Sequence, residues 1–315
     1  MKEYEPSSRN LRADAVLVGV TIVWGSSFVV VKNVYEESPP LQFLFCRFLF
    51  ATLLVAGFLF ARRRSPLLWR DGLILGLLLA GGIALQVLGI PDTTASNAAF
   101  LTGLSVVLTP FVAYLRTQKL PSLENTVGIT LAGLGFALLT FPSRGSSVNR
   151  GDVLLFLCGI VFAFYIVELA ERSGRHDAVW LTAIQLATVV LLAAGLILLL
   201  RLPLFSEWTI AVRETRPVVW RGGFLWGVLY LGSIGTVGTF FGQTWAQRHM
   251  SATHAAIIFA LEPVVAALLA AWFLGERLGL RGNLGGLLVI AGIVAAELKL
   301  RGSPRPDQSS GNVSV

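Results

Sequence analysis

Four side chains in this sequence sit where chemistry would be costly to keep without a use. Glu262 and Arg47 each fall inside a long apolar run, Glu262 about ten residues in and Arg47 about seven. An ionised group in hydrocarbon costs roughly 2.5–3.5 kcal/mol on insertion scales and is by default a candidate functional group. Two roles are open for the pair: a structural ion pair or hydrogen bond, or separate groups facing a solute, one attracting a carboxylate and the other an amine or proton. Pro263 follows Glu262 and removes a backbone donor beside it. Gln86 and Gln243 also lie in apolar surroundings. An amide there needs a partner on another helix or a wet cavity. Trp24 and Tyr165 are further candidates for a cavity wall, against the plainer role of packing or anchoring at an interface.

Other chemistries lack their residues. No His-Glu-x-x-His zinc pattern, clustered Cys/His set or Gly-x-x-x-x-Gly-Lys-Ser/Thr phosphate loop occurs. Cys46 and Cys158 each lie in an apolar run and read as small buried residues. His176-Asp177 reads as a solvated turn, and Asn97 and His254 as polar caps near helix starts. No metal or cofactor is expected, and the chain is not expected to be an enzyme; a membrane-embedded enzyme or a non-transporting receptor or scaffold is the alternative.

The elements that must position these groups are membrane helices. The 315 residues are 55% hydrophobic and only 14% charged, whereas a soluble domain carries about 25% charge. A span needs about 20 mostly apolar residues. Spans are expected near 13–32, 40–61, 70–90, 95–115, 124–141, 152–170, 178–200, 221–246, 252–274 and 281–299. The stretch 201–220 mixes Trp with charge and reads as lying along the interface. Residues 1–12 and 300–315 read as cytoplasmic tails. The net charge of +7 does not argue for nucleic acid, because the basic residues sit in clusters between apolar runs. In the first half these clusters favour a cytoplasmic amino terminus. An even span count then returns the carboxyl terminus to the same side of a cell inner (plasma) membrane.

The chain also repeats itself. Gln86, Asn97, Lys119, Gly128 and Gly135 match Gln243, His254, Glu276, Gly285 and Gly292 at one separation of 157 residues. Arg12-Ala13-Asp14 matches Arg150-Gly151-Asp152 at 138, which sets Arg47 opposite Gln185. Halves at 13–141 and 150–299 each hold five spans, so the second must enter the membrane from the opposite side. Inverted repeats of this kind recur in secondary transporters.

Trp24-Gly25-Ser26-Ser27-Phe28, Arg47-Phe48, Ala95-Ser96-Asn97-Ala98-Ala99, Glu262-Pro263 and Leu274-Gly275-Glu276-Arg277-Leu278 resemble the EamA type of the drug/metabolite transporter superfamily. The resemblance covers nearly the whole chain. It implies an all-α membrane protein of ten transmembrane helices in two inverted five-helix repeats. It further implies a central cavity walled by the first four spans of each half, and export of amino acids, related metabolites or drugs. The expected partners are a small-molecule substrate and the lipid bilayer, with the oligomeric state left open. One departure is that Thr117-Gln118-Lys119-Leu120 stands in the first half where the second has Gly275-Glu276-Arg277-Leu278.

Overall fold

The computed structural model describes residues 10–57, 65–118, 120–140, 149–205, 208–275 and 279–297. Most of the two tails, Lys119, and Glu276-Arg277-Leu278 of the family-like segment lie outside these residues. Every regular element among the described residues is helical. In chain order they are α1 (Leu11–Glu37), α2 (Pro40–Ala56), α3 (Pro66–Gly89), α4 (Ala95–Gly103), α5 (Ser105–Thr117), α6 (Leu123–Thr140) and α7 (Arg150–Ser173). They continue with α8 (Ala178–Leu200), α9 (Thr209–Glu214), α10 (Gly222–Gly232), α11 (Thr239–Gln247), α12 (Ala252–Phe259), α13 (Leu261–Phe273) and α14 (Gly279–Glu297).

Seven of these helical stretches are long and apolar enough to cross a membrane: Leu11–Glu36, Pro66–Asp92, Ala95–Thr117, Arg150–Ser173, Ala178–Leu200, Gly222–Gln247 and Ala252–Phe273. Pro40–Ala56 and Gly279–Ala295 are shorter apolar helices. The second span is expected to run to 61, and that end falls outside the described residues. Large apolar side chains point outward around the bundle, among them Leu53, Leu115, Leu191, Leu198 and Trp272. That surface is suited to hydrocarbon rather than water.

The helices begin where the sequence supplies caps. Asn10, Ser65, Thr94, Asp177 and Ser251 each accept a bond from the first turn of the following helix. Asn149 and Asp152 form a reciprocal capping box at the start of α7. Small residues then set the packing. A Cβ on Gly72 would meet Ile184, one on Gly76 would come 2.6 Å from Thr188, and one on Gly82 would strike Phe162. These three positions let α3 lie tightly against α8 and α7, as small-residue ridges do in lipid. α6 and α14 pair in the same way: a Cβ on Gly135 would come 2.6 Å from the Gly285 carbonyl oxygen, and one on Gly292 2.6 Å from that of Gly128.

Two expected spans are interrupted within one residue of matching places. α4 gives way to α5 at Leu104, and α12 to α13 at Ala260. At each join one N–H is shared between carbonyls three and four residues back: Leu104 with Leu101 and Phe100, Ala260 with Ile257 and Ala256. A third interruption has another form. α10 and α11 are joined by a π-helical segment, Ser233–Gly238.

Polar ties close both ends of the bundle. At the end where the chain starts, Asp71 accepts from Arg172 at 3.3 Å and meets His176 Nε2 at 2.8 Å. Arg172 also pairs with Glu168, and Arg116 reaches Glu168 and Glu171. Arg248 donates to the carbonyls of Ser173 and His176. His176 is therefore a buried partner of Asp71, with its side chain 6% exposed, rather than a solvated turn residue. Asp71 at the start of α3 is the acceptor that the reading of the His176 turn left out. At the opposite end Lys32 donates to the carbonyls of Ile90, Pro91 and Thr93, and Arg213 pairs with Asp92 at 2.8 Å. The 201–220 connection carries exposed Trp208 and Trp220. It also places the Glu214 carboxylate on the N–H of Leu41, at 3.1 and 3.2 Å, at the start of α2.

Candidate functional site

All six side chains singled out in the sequence, Trp24, Arg47, Gln86, Tyr165, Gln243 and Glu262, line one internal cavity. It is partly open and has a volume of about 80 Å³. Its wall runs from Trp24 along α1 to Tyr35, and from Leu79 along α3 to Ile90. The cavity thus occupies the middle of the bundle and the half away from the chain start.

Arg47 does not snorkel to the surface. Its Nε donates to Thr236 Oγ1 at 2.7 Å and its Nη2 to the Gly235 carbonyl at 2.9 Å, both in the π-helical segment. The guanidinium also lies 5.3 Å from the centre of the Phe48 ring. A π-turn closes its bonds one residue further along than an α-turn, and such segments gather at functional sites. Here the segment offers a carbonyl to a buried cation. Thr239 adds to the cluster by donating to the same Gly235 oxygen and accepting from the Trp24 indole at 2.9 Å. The Trp24 ring packs 5.5 Å from those of Phe240 and Phe259.

Glu262 sits just past the α12–α13 interruption, one residue before Pro263. Proline has no N–H and leaves the Phe259 carbonyl four residues back without its helical donor, although the join at Leu104 forms with Val106 in the matching place. α1 approaches closely here: a Cβ on Gly25 would come 2.9 Å from the Glu262 carbonyl oxygen and 2.7 Å from Val265. The glycine of the Trp24-Gly25-Ser26-Ser27 motif thus seats α1 on the turn that carries the acid. No ion pair joins Glu262 to Arg47 among the described residues, so direct pairing does not describe this state.

Tyr165 donates to Gln185 Oε1 at 2.7 Å, and Gln185 Nε2 donates to the Leu181 carbonyl. Gln86 Nε2 lies 3.5 Å from Thr102 Oγ1, a long contact. Gln243 Nε2 donates to Gln247 Oε1 at 2.9 Å, and Gln247 Nε2 to the Ile166 carbonyl at 3.1 Å. Asn97 and His254 are not helix caps; Thr94 and Ser251 are. Asn97 Nδ2 instead donates to Asp152 at 2.8 Å, and His254 Nε2 meets Asp14 at 3.0 Å. The aspartates are themselves a matched pair of the repeat, which was the signal available for both contacts.

Sequence reasoning missed Thr236, Thr239 and Tyr35 in or beside the cavity, because single hydroxyls in apolar helices carry no pattern. A run of aromatics, Phe28, Phe162, Phe240 and Phe259, completes the wall.

The model of the EamA-like transporter family matches the chain twice, over residues 11–141 and 149–296. A protein of Archaeoglobus fulgidus described as an uncharacterized transporter is 28% identical over 295 residues, 93% of this chain and 88% of its own length. The uncharacterized inner membrane transporter YedA of Escherichia coli K12 is 28% identical over 270 residues, 83% of each chain. A protein of known crystal structure superposes with a TM-score of 0.69 at 18% identity, covering 91% of this chain and 97% of the other, and so shares the fold. This chain belongs to the EamA-like transporter family and is a multi-pass membrane protein.

Proposed function

We propose that the chain is a secondary exporter of small metabolites, amino acids and related compounds foremost, working by alternating access through the cavity. The observation that carries this reading is Arg47 and Glu262 on one cavity wall with no ion pair between them. A basic and an acidic side chain with no ion pair between them in an apolar, aromatic surround suit a small zwitterion. Its carboxylate is drawn to the guanidinium that Thr236 and Gly235 hold in place, and its ammonium to the Glu262 carboxylate. A low-dielectric wall strengthens both attractions.

Ten spans in two inverted repeats, with both termini cytoplasmic, complete the proposal. Reciprocal contacts support it. Gly135 meets Gly285 as Gly292 meets Gly128, and Asp152 meets Asn97 as Asp14 meets His254. The cavity wall reaches toward one end, while Asp71, Arg172, His176 and Arg248 close the other. In this scheme transport requires those ties to part as the Glu214 end closes.

Counterflow of labelled amino acids into proteoliposomes tests the activity. Saturable uptake is expected. Arg47→Gln and Glu262→Gln should each lower it at normal membrane abundance, with no recovery in the double variant. Recovery in the double variant would return both residues to a structural pair. Reporter fusions at each terminus and within 201–220 test the topology, and a periplasmic carboxyl terminus would reject the inverted arrangement.

A further inference from the structure

Gln243 is 1% exposed and Gln247 fully buried, and both amides lie on α11 one turn apart. The Ile166 carbonyl that ends their chain of bonds is an acceptor and nothing else. Gln247 must therefore turn its NH2 toward Ile166 and its oxygen toward Gln243. Gln243 must in turn present its NH2 to that oxygen. Flipping either amide would set oxygen against oxygen or NH2 against NH2. The backbone carbonyl thus fixes the polarity of the whole relay, and the free end is Gln243 Oε1. That atom is buried, has no hydrogen-bond partner, and belongs to a residue on the cavity wall. A buried acceptor left without a donor costs about 1–3 kcal/mol, so a group that supplies one is favoured there.

We propose that Gln243 Oε1 is a fixed acceptor for an N–H donor of the solute, an ammonium or amine, and that Gln247 is a positioning residue that keeps the Gln243 NH2 from turning into the cavity. The proposal deepens the reading of the cavity as a solute site and rests on it. It assigns the selection of amines to a neutral amide as well as to Glu262. At the matched position of the first half, Gln86 has Ile90 where Gln243 has Gln247. Gln86 therefore has no such relay and its amide is not directed.

The test uses the purified full chain in nanodiscs and three probes of one shape: L-phenylalanine, phenethylamine, and 3-phenylpropanoate, which lacks the amine. Wild-type protein is expected to bind the two amines at least about tenfold more tightly than 3-phenylpropanoate, about 1.4 kcal/mol. Gln243→Leu should weaken the amines and leave 3-phenylpropanoate unchanged, lowering the ratio to what Glu262 alone sustains. Gln247→Leu leaves Oε1 in place but undirected, so the ratio should fall only partly. Thermal unfolding of each variant separates these effects from loss of fold, because a merely structural relay would change Tm without changing the ratio. An unchanged ratio in Gln243→Leu, with folded protein, would overturn the proposal and leave Oε1 as an acceptor for a buried water. Binding of neither amine by the wild type would overturn it as well. Absence of amino-acid counterflow in wild-type proteoliposomes reports separately on the transport reading.

Discussion

α3 and the α10–α11 helix occupy matched places in the two halves, yet they are built to opposite ends. α3 is an unbroken α-helix whose glycines press against Ile184, Thr188 and Phe162. The α10–α11 helix is interrupted by a π-helical segment that supplies Gly235 and Thr236 to Arg47 and Thr239 to Trp24. The helices facing them differ accordingly. α2 brings an arginine to the interrupted helix, whereas α8 brings Gln185 to Tyr165 and fills the ridge of the unbroken one. Both helices pack through glycines, Gly76 on Thr188 and Gly232 on Phe50, and the interrupted one also offers backbone and hydroxyl groups to Arg47.

The comparison breaks first at the glycines. In α3, Gly76→Leu inserts a side chain where even a Cβ lies 2.6 Å from Thr188. The branched Thr188 cannot swing clear, so the change belongs at the upper end of the roughly 1–3 kcal/mol cost of overpacking. Folded protein in the membrane should fall sharply. In the π-helical segment Gly238→Ala places its methyl 3.7 Å from the Ser233 carbonyl oxygen, and stability should stay within about 0.5 kcal/mol of wild type. Membrane abundance and thermal unfolding read both. A small loss in Gly76→Leu would show that α3 is not tightly seated on α8.

Next come the matched residues Arg47 and Gln185. Arg47→Gln should lower transport by about 10- to 100-fold, or roughly 1.4–2.7 kcal/mol in activation free energy, with abundance near normal. Gln185→Leu removes one bond to Tyr165. Hydrogen bonds between membrane helices average about 0.6 kcal/mol and reach about 1.7, so the loss should appear in Tm more than in transport. A reversal of this order would give Gln185, not Arg47, the part in transport.

A smaller effect is expected at the connection that only the second half possesses. Glu214 on α9 is 4% exposed and binds the N–H of Leu41. Burial pushes its carboxyl up to about 7, against the lowering by backbone bonds from Leu41 and Gln42 and by Arg213. Tyr35, on the cavity wall, interacts electrostatically with this group and with Arg47. The folded chain therefore holds a proton that the unfolded chain releases above the ordinary value of 4.5. Stability from this group declines as pH rises from about 4.5 through about 7. Wild-type Tm should drop over that window relative to Glu214→Gln, and parallel profiles would refute the assignment. Smallest of all, Gln86→Leu should change transport by no more than about threefold, below 1 kcal/mol, since Gln86 makes only a 3.5 Å contact with Thr102.

Much of this was legible in the chain. Long apolar runs marked the helices because lipid demands them, and the costs of burying Arg47, Glu262, Gln86 and Gln243 pointed to one cavity. The constant separations found the matched pairs. What they left unread was direction. Asp71 and His176 lie 105 residues apart and share no pattern, so their contact is visible only once α3 meets the end of α7. The joins at Leu104 and Ala260 leave apolar composition untouched, and hydropathy passes straight through them. The Gln243–Gln247 relay depends on a backbone carbonyl, which no side-chain motif records.

The π-helical segment also keeps a record of register. Gly76 packs on Thr188 and Gly232 packs on Phe50, and these partners match at the separation of 138 (188−50). The two glycines therefore correspond, 156 residues apart (232−76). Beyond the segment, Gln86 and Gln243 are 157 apart. One residue has entered the helix between them, and a π-turn is the form in which a helix absorbs one residue without breaking. Were the same chain wound as plain α-helix from Gly232, everything after the segment would be turned by about 100°, one residue's share of a 3.6-residue turn. Gln243 would then leave the cavity wall. The aim of a whole polar face hangs on a single added residue, a change of length rather than of chemistry.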